Sequence, residues 1–177
     1  KDFRRAISCC CWGLRMGVKI FDDFLGISDF EEAVSRLSSC PWYVHKSNEE
    51  DDSSFLATGL DHDEFYTKHL FNQITRLLVG NYELERVYCN GQWHGREGEL
   101  HIDGCDVTAL LYLHEYRYGW GGFTEVFTDP PSIVQPITNR LIIFPGMVKH
   151  KGYSFAYQNC PMRLSLAFKL NRKPLNN

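Results

Sequence analysis

The spacing of apolar and polar positions changes character partway along this 177-residue chain. In the first half, helical spacing alternates with short extended pieces. Residues 18–22 predict a short strand. Residues 29–39 begin with Asp29 at the N-cap position and carry acids in the first turn, which predicts a helix; Cys40 and Pro41 stop it. Residues 42–45 are extended, and 46–54, with four consecutive acids at 49–52, read as a solvated loop. A second helix is predicted from 61 to 79, because Phe65, His69 or Leu70, Ile74, Leu77 and Leu78 recur near helical spacing and Gly80-Asn81 closes it.

From Tyr82 onward, short β-branched and aromatic segments alternate with Gly, Pro and Asn turns: 84–89, 99–103, 107–114, 123–127, 133–137, 140–144 and 163–170. Strands at such spacing predict an antiparallel sandwich or barrel. No internal repeat or low-complexity tract interrupts the pattern. The expected organisation is one domain over 1–177: a tail at 1–17, a helical buttress with short strands at 18–81, a β core at 82–171 and a tail at 172–177.

Composition narrows the classes. With 44% hydrophobic and 23% charged residues the chain is an ordinary globular protein. Nineteen Lys and Arg against twenty-two Asp and Glu give a net charge of −3, which argues against a broad electrostatic grip on nucleic acid or an anionic membrane. No apolar run has the length to span a bilayer. Seven cysteines, an odd count without a C-x-x-C pair, predict reduced thiols and a cytoplasmic location. Cys9, Cys10 and Cys11 read as part of the tail rather than a lipidation site.

The candidate chemistry lies in the β half. In an extended segment, His101 and Asp103 point to one side while Ile102 turns away into apolar packing. His150 follows the apolar strand at 140–144. Two histidines and one carboxylate on β segments form a facial triad, which holds Fe(II) by one face and leaves three positions open. Thirteen residues after His150, the strand at 163–170 alternates cleanly: Leu164, Leu166, Phe168 and Leu170 on one face, Arg163, Ser165, Ala167 and Lys169 on the other. Either that polar face meets water, or it looks into a barrel mouth where Arg163 offers a two-donor fork to a carboxylate. The glycine-rich segment 90–98, with Trp93 and Arg96, reads as a mobile flap or as a plain turn. His94 reads as a surface residue. His45, His62 and His69 have no partner at metal spacing.

With these residues the chain resembles the Fe(II)/2-oxoglutarate-dependent dioxygenases, whose H-x-D, distal His and R-x-S motifs are matched in order by His101-Ile-Asp103, His150 and Arg163-Leu-Ser165. The prolyl-hydroxylase-like branch is the most similar, through 107–114, the turn at 120–125, and 133–136 followed by 140–144. The resemblance implies a mainly β fold with N-terminal helices: a double-stranded β-helix (jelly-roll, cupin-like) core at 82–171, buttressed by two or more helices. It implies that His101, Asp103 and His150 ligate Fe(II), and that Arg163, Ser165 and Tyr112 hold 2-oxoglutarate. Trp93, Arg96 and Trp120 are the candidate substrate contacts, and ascorbate is a further candidate cofactor. The implied activity is hydroxylation of an unactivated C–H bond by O2, with release of succinate and CO2, on a peptidyl proline in the manner of a prolyl 4-hydroxylase. The alternatives are a free amino acid or other small metabolite, oxidative demethylation of nucleic acid, or a non-catalytic jelly-roll binding domain. The acidic balance, and Lys169 where nucleic-acid demethylases carry a second Arg, disfavour nucleic acid. Two departures stand out: His114 replaces an Asn common in prolyl hydroxylases, and the spacing from His150 to Arg163 leaves room for a substrate loop at 151–160.

Overall fold

A computed structural model describes residues 17–46 and 54–174. Among them ten strands form two antiparallel sheets. In chain order these are β1 (Lys19–Phe21), β2 (Tyr43–Lys46), β3 (Ser54–Gly59), β4 (Tyr82–Gln92), β5 (Val107–Tyr112), β6 (Thr124–Val126), β7 (Ser132–Val134), β8 (Leu141–Pro145), β9 (His150–Gly152) and β10 (Arg163–Arg172). The large sheet runs β1-β8-β5-β10-β4-β3-β2 and the small one β7-β6-β9. Helix α1 spans Ile27–Ser38, and a π-helical segment at Phe65–Leu70 runs directly into α2 at Phe71–Thr75.

Alternation along the strands decides which layer each side chain enters. Ala109, Leu111, Leu166 and Phe168 point to the helices, where they pack with Ala33, Leu37, Tyr66, Leu70 and Ile74. The Tyr66 hydroxyl donates to the Ala33 carbonyl at 2.7 Å, tying the π segment to α1. On the opposite face Leu110, Tyr112, Ile142, Phe144 and Ala167 meet Val126 and Val134 of the small sheet. Covered on both faces, β5 and β8 are buried at every residue, which is why they read as continuous apolar runs rather than alternating ones. The mainly β architecture with a helical buttress is the expected one, and the two layers leave a cleft between them that opens away from the helices.

Several local expectations differ. The helix at 61–79 is shorter at both ends. The Asp63 side chain accepts the Phe65 N–H at 2.9 Å and starts the π segment, while after Thr75 the turns tighten into three-residue bonds from Leu77 to Ile74 and Leu78 to Thr75. Asp29 is not the cap of α1: the N-cap is Gly26, and the Asp29 carboxylate instead accepts from Gln73 at 2.7 Å and faces His69 at 3.0 Å. Strand β3 was not expected, nor was β9. Residues 99–103 form no strand; His101 makes a single bridge to His150, and Gly104 turns the chain with φ of 75°. Ile102, expected in apolar packing, is exposed. Cys40, Cys89, Cys105 and Cys160 carry free thiols. No helix among the described residues is long and apolar enough to cross a membrane. The Cys9–Cys11 tail, Trp12 and the acids at 49–52 lie outside the described residues.

Candidate metal centre

One donor atom each from His101, Asp103 and His150 lies within 4.8 Å of the others. Backbone pairing brings the distant stretches together: His101 N donates to His150 O at 3.1 Å, His150 N returns a bond at 2.9 Å, and Asp103 N donates to Gly146 O at 2.9 Å. Each imidazole is oriented in the same way. His101 Nδ1 lies 2.8 Å from Glu99 O and His150 Nδ1 lies 3.0 Å from Val148 O. A carbonyl only accepts, so both Nδ1 atoms carry the proton and both Nε2 lone pairs are left for a metal. Both Nε2 atoms face Asp103, at 3.4 Å from Oδ1 for His101 and 3.2 Å from Oδ2 for His150. This is the convergence that the spacing of these residues predicts, and two imidazoles with a carboxylate suit a borderline divalent ion such as Fe(II).

The carboxylate is buried and the first histidine is not: side-chain exposure is 2% for Asp103 and 49% for His101. Burial pushes the Asp103 carboxyl up, but without a metal the two rings in their protonated form donate from Nε2 to it, and with the charge of Lys169 they hold the group well below the usual carboxylate range. The bond to Asp103 raises His101 above its ordinary value. Thr108 Oγ1 donates to Asp103 Oδ2 at 2.5 Å, and Lys169 Nζ donates to the same oxygen.

Deeper between the sheets lies Arg163, only 2% exposed. Nε donates to Gly122 O at 2.7 Å, one terminal nitrogen to Gln92 Oε1 at 2.7 Å and Ser165 Oγ at 3.3 Å, and the other to Thr124 Oγ1 at 2.8 Å. All four acceptors are neutral. Among the described residues the chain supplies no carboxylate to this buried charge, and burial pulls the guanidinium below its ordinary pKa. A buried, unpaired cation is costly unless an anion joins it. Gly122, whose carbonyl accepts from Arg163, has φ of 73°, and a Cβ there would sit 2.6 Å from the Phe155 ring, so the position requires glycine.

Ser165 lines the cleft beside Arg163, whereas Tyr112 stands behind it. The Tyr112 hydroxyl donates to Thr124 Oγ1 at 2.8 Å, and the guanidinium carbon of Arg163 lies 5.2 Å from the centre of the Tyr112 ring. His114 lies farther back. Its Nδ1 accepts from Leu164 N at 3.0 Å and its Nε2 faces Pro136 O at 3.0 Å, the pattern of a neutral ring. Burial, followed by the charge of Arg163, pushes its pKa down to about 4.

A single cavity of about 590 Å³ joins Arg163, the three metal-type ligands and an outer rim of Tyr43, His45, Phe55 and Ile102. Trp93, Arg96 and Trp120 do not line it. Trp120 packs edge-on to Phe155 at 5.5 Å. The stretch expected as a substrate loop is partly folded in: Lys151 and Gly152 belong to β9, and Phe155 is buried against His114 at 5.1 Å. His94 is exposed, as expected, and its Nδ1 lies 3.0 Å from Phe155 O.

The sequence reading assigned no role to Gln92, Thr108, Thr124, Lys169 or His45. Gln92 reaches Arg163 because the two are direct partners across β4 and β10, and Thr108 and Lys169 are partners across β5 and β10. The available signal was a polar side chain inside an otherwise apolar strand, as Thr108 is in β5 and Lys169 in β10.

No family model matches the chain, and no curated protein does. Solved structures do. A Trichoplax adhaerens prolyl hydroxylase, solved with a hypoxia inducible factor oxygen degradation domain peptide fragment, superposes with a TM-score of 0.67 at 19% identity, over 88% of this chain and 84% of that one. A Pseudomonas putida prolyl-4-hydroxylase gives 0.65 at 20% identity, over 90% and 95%. HygX from Streptomyces hygroscopicus, with nickel, 2-oxoglutarate and hygromycin B bound, gives 0.66 at 11% identity, over 89% and 83%. At these identities the likeness concerns architecture, and the chain has the double-stranded β-helix fold of the 2OG-Fe(II) oxygenases.

Proposed function

We propose that this chain is an Fe(II)- and 2-oxoglutarate-dependent oxygenase that hydroxylates a peptidyl proline. The observation that carries the iron and 2-oxoglutarate part is the pairing, in one cavity, of a two-His-one-carboxylate cluster with a buried guanidinium that has no carboxylate partner among the described residues. A metal ion needs the first and a dicarboxylate needs the second. His101, Asp103 and His150 would hold the iron. Arg163 would pair with the far carboxylate of 2-oxoglutarate. Ser165 and Thr124 accept from Arg163, so their own hydroxyl hydrogens are left for the same carboxylate, and Tyr112 fixes Thr124 from behind. Iron(II) with 2-oxoglutarate supplies oxidation of an unactivated C–H bond by O2, with release of succinate and CO2.

The chain's own contribution is orientation. The two Nδ1–carbonyl bonds fix the imidazoles, and the four neutral acceptors fix the guanidinium before any ligand arrives. Two of the neighbouring folds belong to prolyl hydroxylases, one holding a peptide, and the rim is lined by Tyr43, Phe55 and His45, surfaces on which a prolyl ring and flanking chain pack well. A small-molecule substrate is the second reading, favoured by the neighbour that holds hygromycin B. Succinate release measured with proline-containing peptides and with free amino acids and other metabolites separates the two. Stimulation by peptides alone is the expected result; stimulation by metabolites alone rejects the peptidyl assignment, and none by either rejects turnover on both classes.

A further inference from the structure

Lys169 is 1% exposed and points from β10 into the same cavity, where the charge of a lysine is out of place unless it is used. It faces Thr108 across β5, and both side chains donate to Oδ2 of Asp103. The ammonium also lies 5.5 Å from the centre of the Tyr88 ring, which closes its other side. The two oxygens of the carboxylate are therefore unequal. Oδ2 takes a hydroxyl and an ammonium from neighbouring strands and also faces His150 Nε2 at 3.2 Å, whereas among the described residues Oδ1 meets only His101 Nε2 within the cluster, at 3.4 Å.

A buried ion pair is weak support for stability, since an apolar pair of similar volume often serves as well. At this position the pair has a specific consequence for metal binding. A carboxylate that bound through both oxygens would occupy one of the three positions that a facial triad leaves open. Two donors on Oδ2 prevent that. A full positive charge on the far side of the ligand also offsets the negative charge that the metal would feel.

We propose, on the footing of the iron site above, that Lys169 is a positioning residue: it holds Asp103 to the metal through Oδ1 alone and lowers the site's affinity for divalent ions. Thr108 is its partner in orientation, and Lys169 alone supplies the charge.

The test uses the full chain and Mn(II) as probe, with free Mn(II) followed by electron paramagnetic resonance. Lys169→Met should bind Mn(II) more tightly, by about tenfold or more, because a like charge near the ion has been removed. Lys169→Arg should restore the wild-type affinity, and Lys169→Gln, which keeps a donor without the charge, should behave as Lys169→Met does. The visible spectrum of the Co(II)-loaded protein should change in Lys169→Met and return in Lys169→Arg, which a purely structural role would not produce. Unchanged or weaker Mn(II) binding in both neutral variants, with the circular dichroism of the wild type, overturns the proposal. If His150→Ala abolishes wild-type Mn(II) binding while the neutral variants match wild type, only the role of Lys169 falls. If the wild-type chain binds no Mn(II), or binds it equally after His150→Ala, the iron site falls and this proposal with it.

Discussion

The two ends of the cavity are built on different terms. At the inner end, Arg163, Gln92, Thr124 and Ser165 are all buried, and the guanidinium donates to β4, to β6, to the loop before β6 and to its own strand. At the outer end, Tyr43 is 66% exposed and Ile102 47%, and β2 is the last strand of its sheet. The inner end is prearranged for one charged group, because buried polar side chains hold their positions only when every donor has a partner. The outer end offers apolar and aromatic surface with few fixed donors, so it constrains the shape of a substrate far less than the inner end constrains a cosubstrate.

Removing a metal ligand should have the largest effect. His150→Ala deletes one of three donors, and succinate formation should drop to the uncatalysed background; residual turnover near wild type would remove His150 from the centre. Next comes the inner end. Arg163→Met should weaken 2-oxoglutarate binding by about 3–5 kcal/mol, roughly a hundredfold or more in Kd, while Mn(II) affinity stays near wild type. Equal loss of both in parallel titrations would mean that the two ends are not separable.

The pH dependence of stability should also originate behind the inner end. His114 has its pKa pushed down to about 4 by burial and by Arg163, against 6.5 for a free imidazole. Between those values the unfolded chain takes up a proton that the folded chain refuses. Stability should therefore fall as pH drops from 6.5 toward 4, by about 3 kcal/mol from this group alone. Urea midpoints across that range should slope less steeply in His114→Gln, and an identical slope would clear His114. The smallest effect belongs to the rim. Tyr43→Ala should raise the KM for substrate about two- to fivefold with no change in 2-oxoglutarate affinity, since an exposed ring loses only part of its packing. A matching loss of 2-oxoglutarate affinity would erase the distinction between the ends.

The same contrast explains what was legible in the sequence. The clustering of His101, Asp103 and His150 could be read because a candidate metal site demands particular residue types, and the place of Arg163 because alternation along β10 assigns Arg163, Ser165, Ala167 and Lys169 to one face. The structure turns that face inward rather than to water. Gln92 could not be read, since it meets Arg163 only through the register of two strands 71 residues apart in sequence. The convergence of His101 and Asp103 was anticipated, but its cause was not. A single bridge and the Asp103–Gly146 bond hold them, in place of a strand. Trp93, Arg96 and Trp120 neighbour the motifs in sequence but do not line the cavity. Strand β9 has three residues, and the six of β3, Ser54–Gly59, include no run of β-branched residues, so periodicity had little to detect. The helix at 61–79 was overextended because the apolar spacing continues through Leu77 and Leu78 after the backbone has left the α conformation.

If one cavity holds a metal by His101, Asp103 and His150 and the far carboxylate of 2-oxoglutarate by Arg163, the two must bind in a coupled way. Anaerobic calorimetric titration of 2-oxoglutarate into the wild-type chain, with and without Mn(II), tests it most directly. The expected result is one site whose affinity rises when Mn(II) is present, an increase that is lost in Asp103→Ala. Absence of binding, or binding indifferent to Mn(II), would contradict it.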